Sequence, residues 1–467
     1  MHIRDFSKPL TAILLTAATI VSADFKPTFS TTEHIYAGAD VKIHFTASST
    51  PIKNPIFTMP NGLEISYGQL VAMPDFFSVV GKSASNEVKP NKAEANFILN
   101  FNALAEGSAA VKMFAKIWPL LQGEYDKVTA ALEKGQDPSA VFQSISEQLN
   151  KDLNKATGGG SIFTDYYPLG TYLKLAEVCY DHFNDDALRA YAAGHSAAIK
   201  EALYAKAILN GKVSPDPADM EKFNNNIELI ALDYMRKAYA MNGFASHYIM
   251  DRFAGGHLRT PLRKLHELVT PSEIGSRLAN YMHNEDDCAG IIAYNMLGER
   301  WIVYGDSLYF SDCNHENRQR LSEVLQLSAD DIFEAYNSGV VKDPEAVQLL
   351  LPYPAEPGDN MSGHIQPYPM FEYVSIDNKL LRRDNVEDRY DNNYISSWWG
   401  WSTWALISSK GAGKHVPPTT IAVGVPPEDN NLSPIDQAIL FDQVDKRKEY
   451  IEKGIITDPG LLEYYNH

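Results

Sequence analysis

A long helical pattern covers the stretch "FNNNIELIALDYMRKAYAMNGFASHYIMDRFAGG", residues 223–256. It is long, and few polar residues interrupt its apolar pattern. A helix that is apolar on nearly all sides is usually buried inside a bundle. Gly255 and Gly256, at the end of the stretch, are typical of a helix stop. The stretch therefore predicts a central, buried helix.

Other segments on both sides of this stretch also repeat apolar residues at helical spacing. Examples are "ALAEGSAAVKMFAKIWPLL" at 103–121 and "DDALRAYAAGHSAAIKEALYAKAIL" at 185–209. Beyond about Pro344 the sequence becomes rich in proline, glycine and charge, as in "LLPYPAEPGDNMSGHIQPYPMFEYV". We predict a mainly α protein with a helical domain over 24–344 and a C-terminal domain of mixed or irregular structure over 345–467.

The first residues of the chain indicate export. Arg4 and Lys8 precede the apolar run "LTAILLTAATIV", and Val21-Ser22-Ala23 resembles a cleavage site, so residues 1–23 are predicted to be a signal peptide. No later segment is long and apolar enough to predict a transmembrane helix. We therefore expect a secreted or periplasmic protein.

Charge and cysteine content limit the possible functions. The formal net charge of −18 argues against a nucleic-acid partner, because such binding depends on Lys and Arg. With three cysteines, the chain is not a disulfide scaffold. Cys288 and Cys313 either pair in an oxidising compartment or stay reduced, whereas Cys179 is expected to be free and buried.

Histidine and aspartate side chains recur at helical spacing near the end of the predicted central helix. His247 and Asp251 are four residues apart and therefore share one helix face, and His257 follows the two glycines. A pair of this kind is either a hydrogen-bonded couple or part of a metal site. Imidazole and carboxylate together suit zinc.

Other parts of the chain favour the metal interpretation. "YMHNEDDCAG" repeats the spacing with His283 and Asp287, "CYDHFNDD" contributes His182, and "MPDFF" contributes Asp75. The setting of Asp75 is otherwise apolar, where burial of an unpaired carboxylate is costly. His195 lies in an amphipathic pattern and is interpreted as a core residue or as support for a metal ligand.

These motifs resemble those of the bacterial zinc-dependent phospholipase C family, whose helical fold and three-zinc site are shared with single-strand-specific nucleases. The blocks "EHIYAG", "SYGQLVAMPDFF", "GHLRTP" and "NMLGERWIVYGD" extend the resemblance over roughly residues 30 to 310. It implies a helical bundle of this type. It also implies three zinc ions, the first held by Asp75, His182, His247 and Asp251, the second by His257, His283 and Asp287, and the third by Asp251, His34 and the N-terminal residue of the mature chain.

The sequence departs from the family pattern at two points. Many members have tryptophan at the mature N-terminus, but the first tryptophan here is Trp118, so the resemblance implies two or three zinc ions. Some members have glutamate at the position of Asp287, which leaves Glu285 and Asp286 as alternative ligands.

The resemblance implies a monomeric phospholipase C that hydrolyses phospholipids at a membrane surface. Products would be diacylglycerol and a phosphorylated headgroup, formed by attack of a zinc-activated water with Asp75 as general base. The alternatives are a single-strand nuclease or nucleotidase with the same metals and a non-catalytic phospholipid-binding protein with a structural metal. The cluster "WWGWSTW", Trp398 to Trp404, either contacts lipid or packs in a core.

Overall fold

The structure, a computed structural model, describes residues 31–48, 50–341, 346–413, 447–454 and 456. The chain is mainly helical, which confirms the predicted fold class at that level. The predicted signal peptide lies outside the described residues. The helices of the described ranges, α1 to α16, are Thr31–Ala39, Tyr67–Ala72, Pro74–Phe77, Pro90–Ala105, Ser108–Leu132, Ser139–Ala156, Thr171–Val178, Asn184–Leu209, Pro217–Lys222, Ile227–Arg252, Gly255–Arg259, Leu262–Leu268, Ser272–Ala289, His315–Ser338, Ala346–Leu350 and Gly400–Lys410.

The predicted central helix is α10, and it is buried along most of its length. Every residue from Ala238 to Arg252 is buried. Asn226 caps its N-terminus by accepting a hydrogen bond from the backbone N–H of Leu229. Helices α8 and α14 pack along it. On α8, alanine, glycine and other small residues allow close approach. The main hydrophobic core lies around these three helices.

Strands are short and form small antiparallel sheets. The strands β1 to β12 of the described ranges are Lys42–Ile43, Ile52–Lys53, Ile56–Thr58, Glu64–Ser66, Ile291–Tyr294, Arg300–Val303, Tyr353–Pro354, Asn360–Met361, His364–Ile365, Phe371–Val374, Lys379–Arg383 and Tyr394–Ile395. Two hairpins, β1–β2 and β3–β4, separate α1 from α2, and a three-stranded sheet has the order β6-β5-β7. Hairpin β8–β9 and the sheet β10-β11-β12 follow in the C-terminal region.

The described part of the C-terminal region packs against the helical part. Strand β7 pairs with β5, so the boundary predicted near residue 345 cuts through one sheet. Trp404 is buried, and Trp398 and Trp401 pack against the same hydrophobic cluster as Leu265 and Leu278. Only Trp399 of the tryptophan cluster is largely exposed, at 60%. The packing interpretation therefore holds for three of these four tryptophans.

Gly255 and Gly256 do more than end the central helix. Helix α10 ends at Arg252, and the two glycines begin the short helix α11. A Cβ on Gly256 would lie 2.6 Å from the carbonyl oxygen of His283, and one on Gly255 would lie 2.9 Å from that of Asp286. The glycines therefore let α11 approach the backbone of α13.

The disulfide alternative for Cys288 and Cys313 is not what the structure shows. Neither Cys288 nor Cys313 forms a disulfide, and Cys179 does not either. Cys179 is buried, as the sequence predicts. Within the described ranges, no helix combines the length and apolar composition that crossing a bilayer requires.

Candidate metal centre

Helices and turns from distant parts of the chain bring the predicted histidines and aspartates together. His247 and Asp251 lie in the last turns of α10, where every residue is buried. The first turn of α3 carries Asp75, and a 3-10 turn before α8 ends at His182. Among the described residues, three groups of side chains have ligand atoms close enough to hold a metal ion: His34 with His247 and Asp251, Asp75 with His182 and His247, and His257 with His283 and Asp306.

Four of these side chains form a first cluster around the contact between His182 Nδ1 and His247 Nε2. His182 Nδ1 lies 2.8 Å from His247 Nε2 and 2.9 Å from Asp251 Oδ2. His247 Nε2 lies 3.3 Å from Asp251 Oδ2 and 3.5 Å from Asp75 Oδ1, and His182 Nδ1 lies 3.9 Å from Asp75 Oδ1. Ligands about 2.0–2.1 Å from a tetrahedral zinc lie about 3.3–3.4 Å from one another. The five distances, from 2.8 to 3.9 Å, lie on both sides of this ligand-to-ligand distance.

Backbone carbonyl groups set the tautomers of two histidines. His247 Nδ1 donates to the carbonyl oxygen of Val71 at 2.8 Å, and His257 Nδ1 donates to that of His182 at 3.0 Å. A carbonyl oxygen only accepts, so the proton of each neutral ring is on Nδ1. The Nε2 lone pairs therefore face the clusters, an orientation typical of histidine bound to a metal.

The second cluster, His257 with His283 and Asp306, contains an aspartate that was not predicted from the sequence. His283 Nε2 lies 3.7 Å from Asp306 Oδ2, and the ring centroids of His257 and His283 are 4.7 Å apart. Asp306 follows strand β6, in the quoted block "NMLGERWIVYGD". Its loop is fixed by Glu33, whose carboxylate accepts hydrogen bonds from the backbone N–H groups of Ser307 and Tyr309.

Asp287, predicted as a ligand of the second zinc, lies beside this cluster. One carboxylate oxygen, Oδ1, accepts a 2.6 Å hydrogen bond from the backbone N–H of Gly256. Its Oδ2 atom is 3.2 Å from His283 Nδ1, the ring nitrogen opposite the one that faces Asp306. At that nitrogen the hydrogen bond of His283 is with Asn284 Oδ1 at 3.1 Å, so Asn284 and Asp287 together support the ring on the side away from Asp306.

The two alternatives to Asp287 both form ion pairs. Glu285 accepts hydrogen bonds from Nη1 and Nη2 of Arg383 at 2.8 and 2.9 Å. Asp286 accepts from Nε and Nη2 of Arg259 at 2.8 and 2.7 Å. Both carboxylates are buried, and their charges are offset by these arginines, so neither is directed at the histidines.

Asp251 connects the first cluster to His34. While Oδ2 faces His182, Oδ1 lies 3.6 Å from His34 Nε2. The His34 ring stacks on that of His247, with centroids 4.3 Å apart, and its Nδ1 atom has no hydrogen-bond partner among the described residues. The N-terminal residue predicted to join His34 in a third site lies outside the described residues.

Burial disfavours charge on these groups when no cation is present. It raises the pKa of Asp251 to about 6, although His182 opposes the change, and it raises the pKa of Asp75 and Asp306 as well. Burial and then the neighbouring His182 lower the pKa of His34 to about 3. A bound cation would reverse the cost for the carboxylates, because it supplies the missing positive charge.

A cleft gives access to the first cluster. Asp75 and His182 line it together with His257, and its remaining wall is formed by Tyr172, Leu175, Ala176, Cys179 and Phe183. The side chain of Asp75 is 19% exposed, whereas that of Asp251 is 2% exposed. Thr31 donates a 2.8 Å hydrogen bond to Asp75 Oδ2. Asp75 is therefore the carboxylate of the first cluster that a molecule in the cleft can reach.

His195 is buried away from the clusters. Its Nδ1 lies 2.8 Å from Asn242 Oδ1, and its Nε2 lies 3.2 Å from Asp331 Oδ2. It forms part of a polar network between α8, α10 and α14, which agrees with its interpretation as a core histidine.

Comparisons of the sequence with protein-family models and with curated proteins, and of the structure with solved structures, gave no match.

Proposed function

We propose that this protein is an exported, zinc-dependent phospholipase C that hydrolyses phospholipids to diacylglycerol and a phosphorylated headgroup. The observation that carries the proposal is the group of Asp75, His182 and His247, whose ligand atoms are close enough to hold a metal ion, with Asp251 Oδ2 2.9 Å from His182 Nδ1 and 3.3 Å from His247 Nε2. The motif resemblance supplies the reaction class. The adjacent cluster of His257, His283 and Asp306 supports a second ion.

The residues present fit zinc better than a harder cation. The clusters contain both imidazole and carboxylate groups, whereas calcium and magnesium prefer oxygen ligands. When bound, such ions would neutralise charge on a phosphodiester and make a water molecule more acidic. Two or three ions are expected, depending on whether the mature N-terminus completes the site at His34.

The chain's own groups have distinct tasks in this proposal. Asp75 borders the cleft, and Thr31 holds one of its oxygens, so its carboxylate is positioned to accept a proton from a water molecule. Phe183, Leu175 and Ala176 make part of the cleft wall apolar, which suits the glycerol side of a lipid. A nuclease would instead need basic groups for the nucleic-acid backbone, and the chain carries a net charge of −18.

Purified mature protein tests the proposal directly. We expect two or three zinc ions per chain and cleavage of phosphatidylcholine or phosphatidylglycerol vesicles that stops when a chelator is added. The substitution His247→Ala should abolish cleavage and lower zinc content while circular dichroism still shows a helical chain. His266→Ala is the matched control, because His266 bonds Ser276 away from the clusters. Cleavage of single-stranded DNA instead of lipid would establish the nuclease alternative, and full activity of His247→Ala would refute the assignment.

A further inference from the structure

One surface loop presents two large apolar side chains to solvent. Ile162 is 92% exposed and Phe163 is 86% exposed, and they are neighbours at the tip of the loop between α6 and α7. Single exposed apolar residues are common on protein surfaces. An adjacent pair at a tip, both almost fully exposed, exposes apolar area that water solvates poorly.

Hydrogen bonds fix the shape of this loop. The backbone N–H of Ser161 donates to the carbonyl oxygen of Thr164 at 2.8 Å and closes the tip. At the base, the N–H of Gly160 donates to the carbonyl oxygen of Pro168 at 2.8 Å. The two apolar side chains are therefore held at the end of a structured projection.

Helix α6 connects this projection to the wall of the candidate active site. Asn154, which is fully buried, donates to the carbonyl oxygen of Asp165 at 2.8 Å and accepts from the N–H of Gly170 at 2.7 Å. One turn earlier on the same helix, Asn150 accepts a 2.6 Å hydrogen bond from the hydroxyl of Tyr172. Tyr172 lines the cleft beside Asp75. Helix α6 therefore supports both the tip of the loop and the wall of the cleft.

Charge at the loop favours a neutral partner. Asp165 pairs with Lys155 at 2.7 Å, so the base of the loop has little net charge. The chain as a whole carries a net charge of −18 and would be repelled by an anionic surface. Aromatic and aliphatic side chains, by contrast, gain free energy when they enter the headgroup zone of a bilayer.

We infer that Ile162 and Phe163 insert into the surface of a zwitterionic phospholipid bilayer and hold the cleft at that surface. This inference rests on the proposed function, because a phospholipase C must work where its substrate is packed in a membrane. It assigns to the loop the role that the sequence offered as one interpretation of the tryptophan cluster.

Vesicle binding tests the inference without requiring turnover. The full mature chain with Asp75→Asn, which should leave the vesicles intact, is sedimented with phosphatidylcholine vesicles. Adding Ile162→Ser or Phe163→Ser should each lower the partition coefficient by about tenfold or more. Ile376→Ser is the matched control, since Ile376 is 91% exposed in the turn between β10 and β11. Binding of the parent chain should persist at high salt.

Activity and oligomeric state distinguish the outcomes. With Asp75 restored, Ile162→Ser and Phe163→Ser should cleave a short-chain, monomeric phosphatidylcholine at the parental rate but lose cleavage of vesicles. Unchanged vesicle binding in both variants, or an equal loss with Ile376→Ser, would overturn the inference while leaving the phospholipase assignment intact. A change in oligomeric state in these variants would also overturn the inference, because the tip would then contact a second copy of the chain. Tip-dependent vesicle binding by a chain that cleaves no phospholipid would support the inference and refute the proposed function.

Discussion

Asp306 Oδ2 lies 3.7 Å from His283 Nε2, on the side of the imidazole ring opposite Asp287. The geometry therefore gives the two carboxylates different roles: Asp306 belongs to the second cluster, and Asp287 supports the imidazole ring of His283. We expect Asp306→Asn to remove one zinc ion per chain. Asp287→Asn should keep the number of ions and weaken their binding by about 10- to 100-fold. Metal analysis and chelator competition measure the two effects, and the opposite pattern would restore the ligand set that the sequence implied.

The pKa of Asp251 makes metal binding depend on pH. Because burial raises that pKa to about 6 in the metal-free chain, protons compete with the cation once the pH falls below about 6. His34 and His247 have lowered pKa values, chiefly through burial, and do not compete in this range, whereas Cys179 and Asp251 raise the pKa of His182 against the effect of burial, so a proton on His182 competes as well. Apparent zinc affinity should thus fall by about tenfold per pH unit for Asp251 alone. Titration of metal-free protein from pH 5 to pH 8 would detect this slope, and a constant affinity would contradict it.

Gly256 should tolerate no side chain. In Gly256→Ala the new Cβ would lie 2.6 Å from the carbonyl oxygen of His283 and 2.7 Å from Asp287 Oδ1. We expect a loss of about 1–3 kcal/mol in the free energy of unfolding, with weaker metal binding, because α11 would be pushed from α13. Gly123→Ala is the control: Gly123 lies in helix α5 with no atom within 4 Å of its Cβ position. That change should stabilise the chain by about 0.5–1 kcal/mol in a denaturation experiment.

The ion pair between Arg383 and Glu285 should contribute strongly to the attachment of the C-terminal region. Arg383→Ala would leave Glu285 buried without its counter-charge, and we expect a loss of about 3–5 kcal/mol in the free energy of unfolding. The exposed pair of Lys410 with Glu387 provides the comparison, and Lys410→Ala should change stability by less than about 1 kcal/mol. Chemical denaturation would measure both, and equal effects would contradict the argument.

Local spacing was enough to predict much of the candidate site. His247 and Asp251 are one helical turn apart, so their common face follows from the sequence, and the unusual carboxylate in "MPDFF" indicated Asp75. Each of these side chains lies in a metal-capable group. The mainly helical fold followed from the same periodicity.

Asp306 could not be found in this way, because it is in a loop with no periodic pattern. Its position depends on the β5–β6 hairpin and on hydrogen bonds to Glu33, which is distant in sequence. Asp287 was predicted as a ligand because its spacing from His283 repeats that of His247 and Asp251. In the structure, one of its oxygens accepts a hydrogen bond from the backbone N–H of Gly256. The function of Gly256 in helix packing likewise depends on a contact between helices, which spacing along one segment does not reveal.

The pairing of β7 with β5 limits how this protein can be shortened. Tyr353 and Pro354 of β7 pair with Tyr294 and Ala293 along one edge of β5. A truncated chain ending near residue 344 would expose that strand edge, and exposed edges recruit strands from other molecules. The helical part is therefore expected to aggregate when expressed without its continuation.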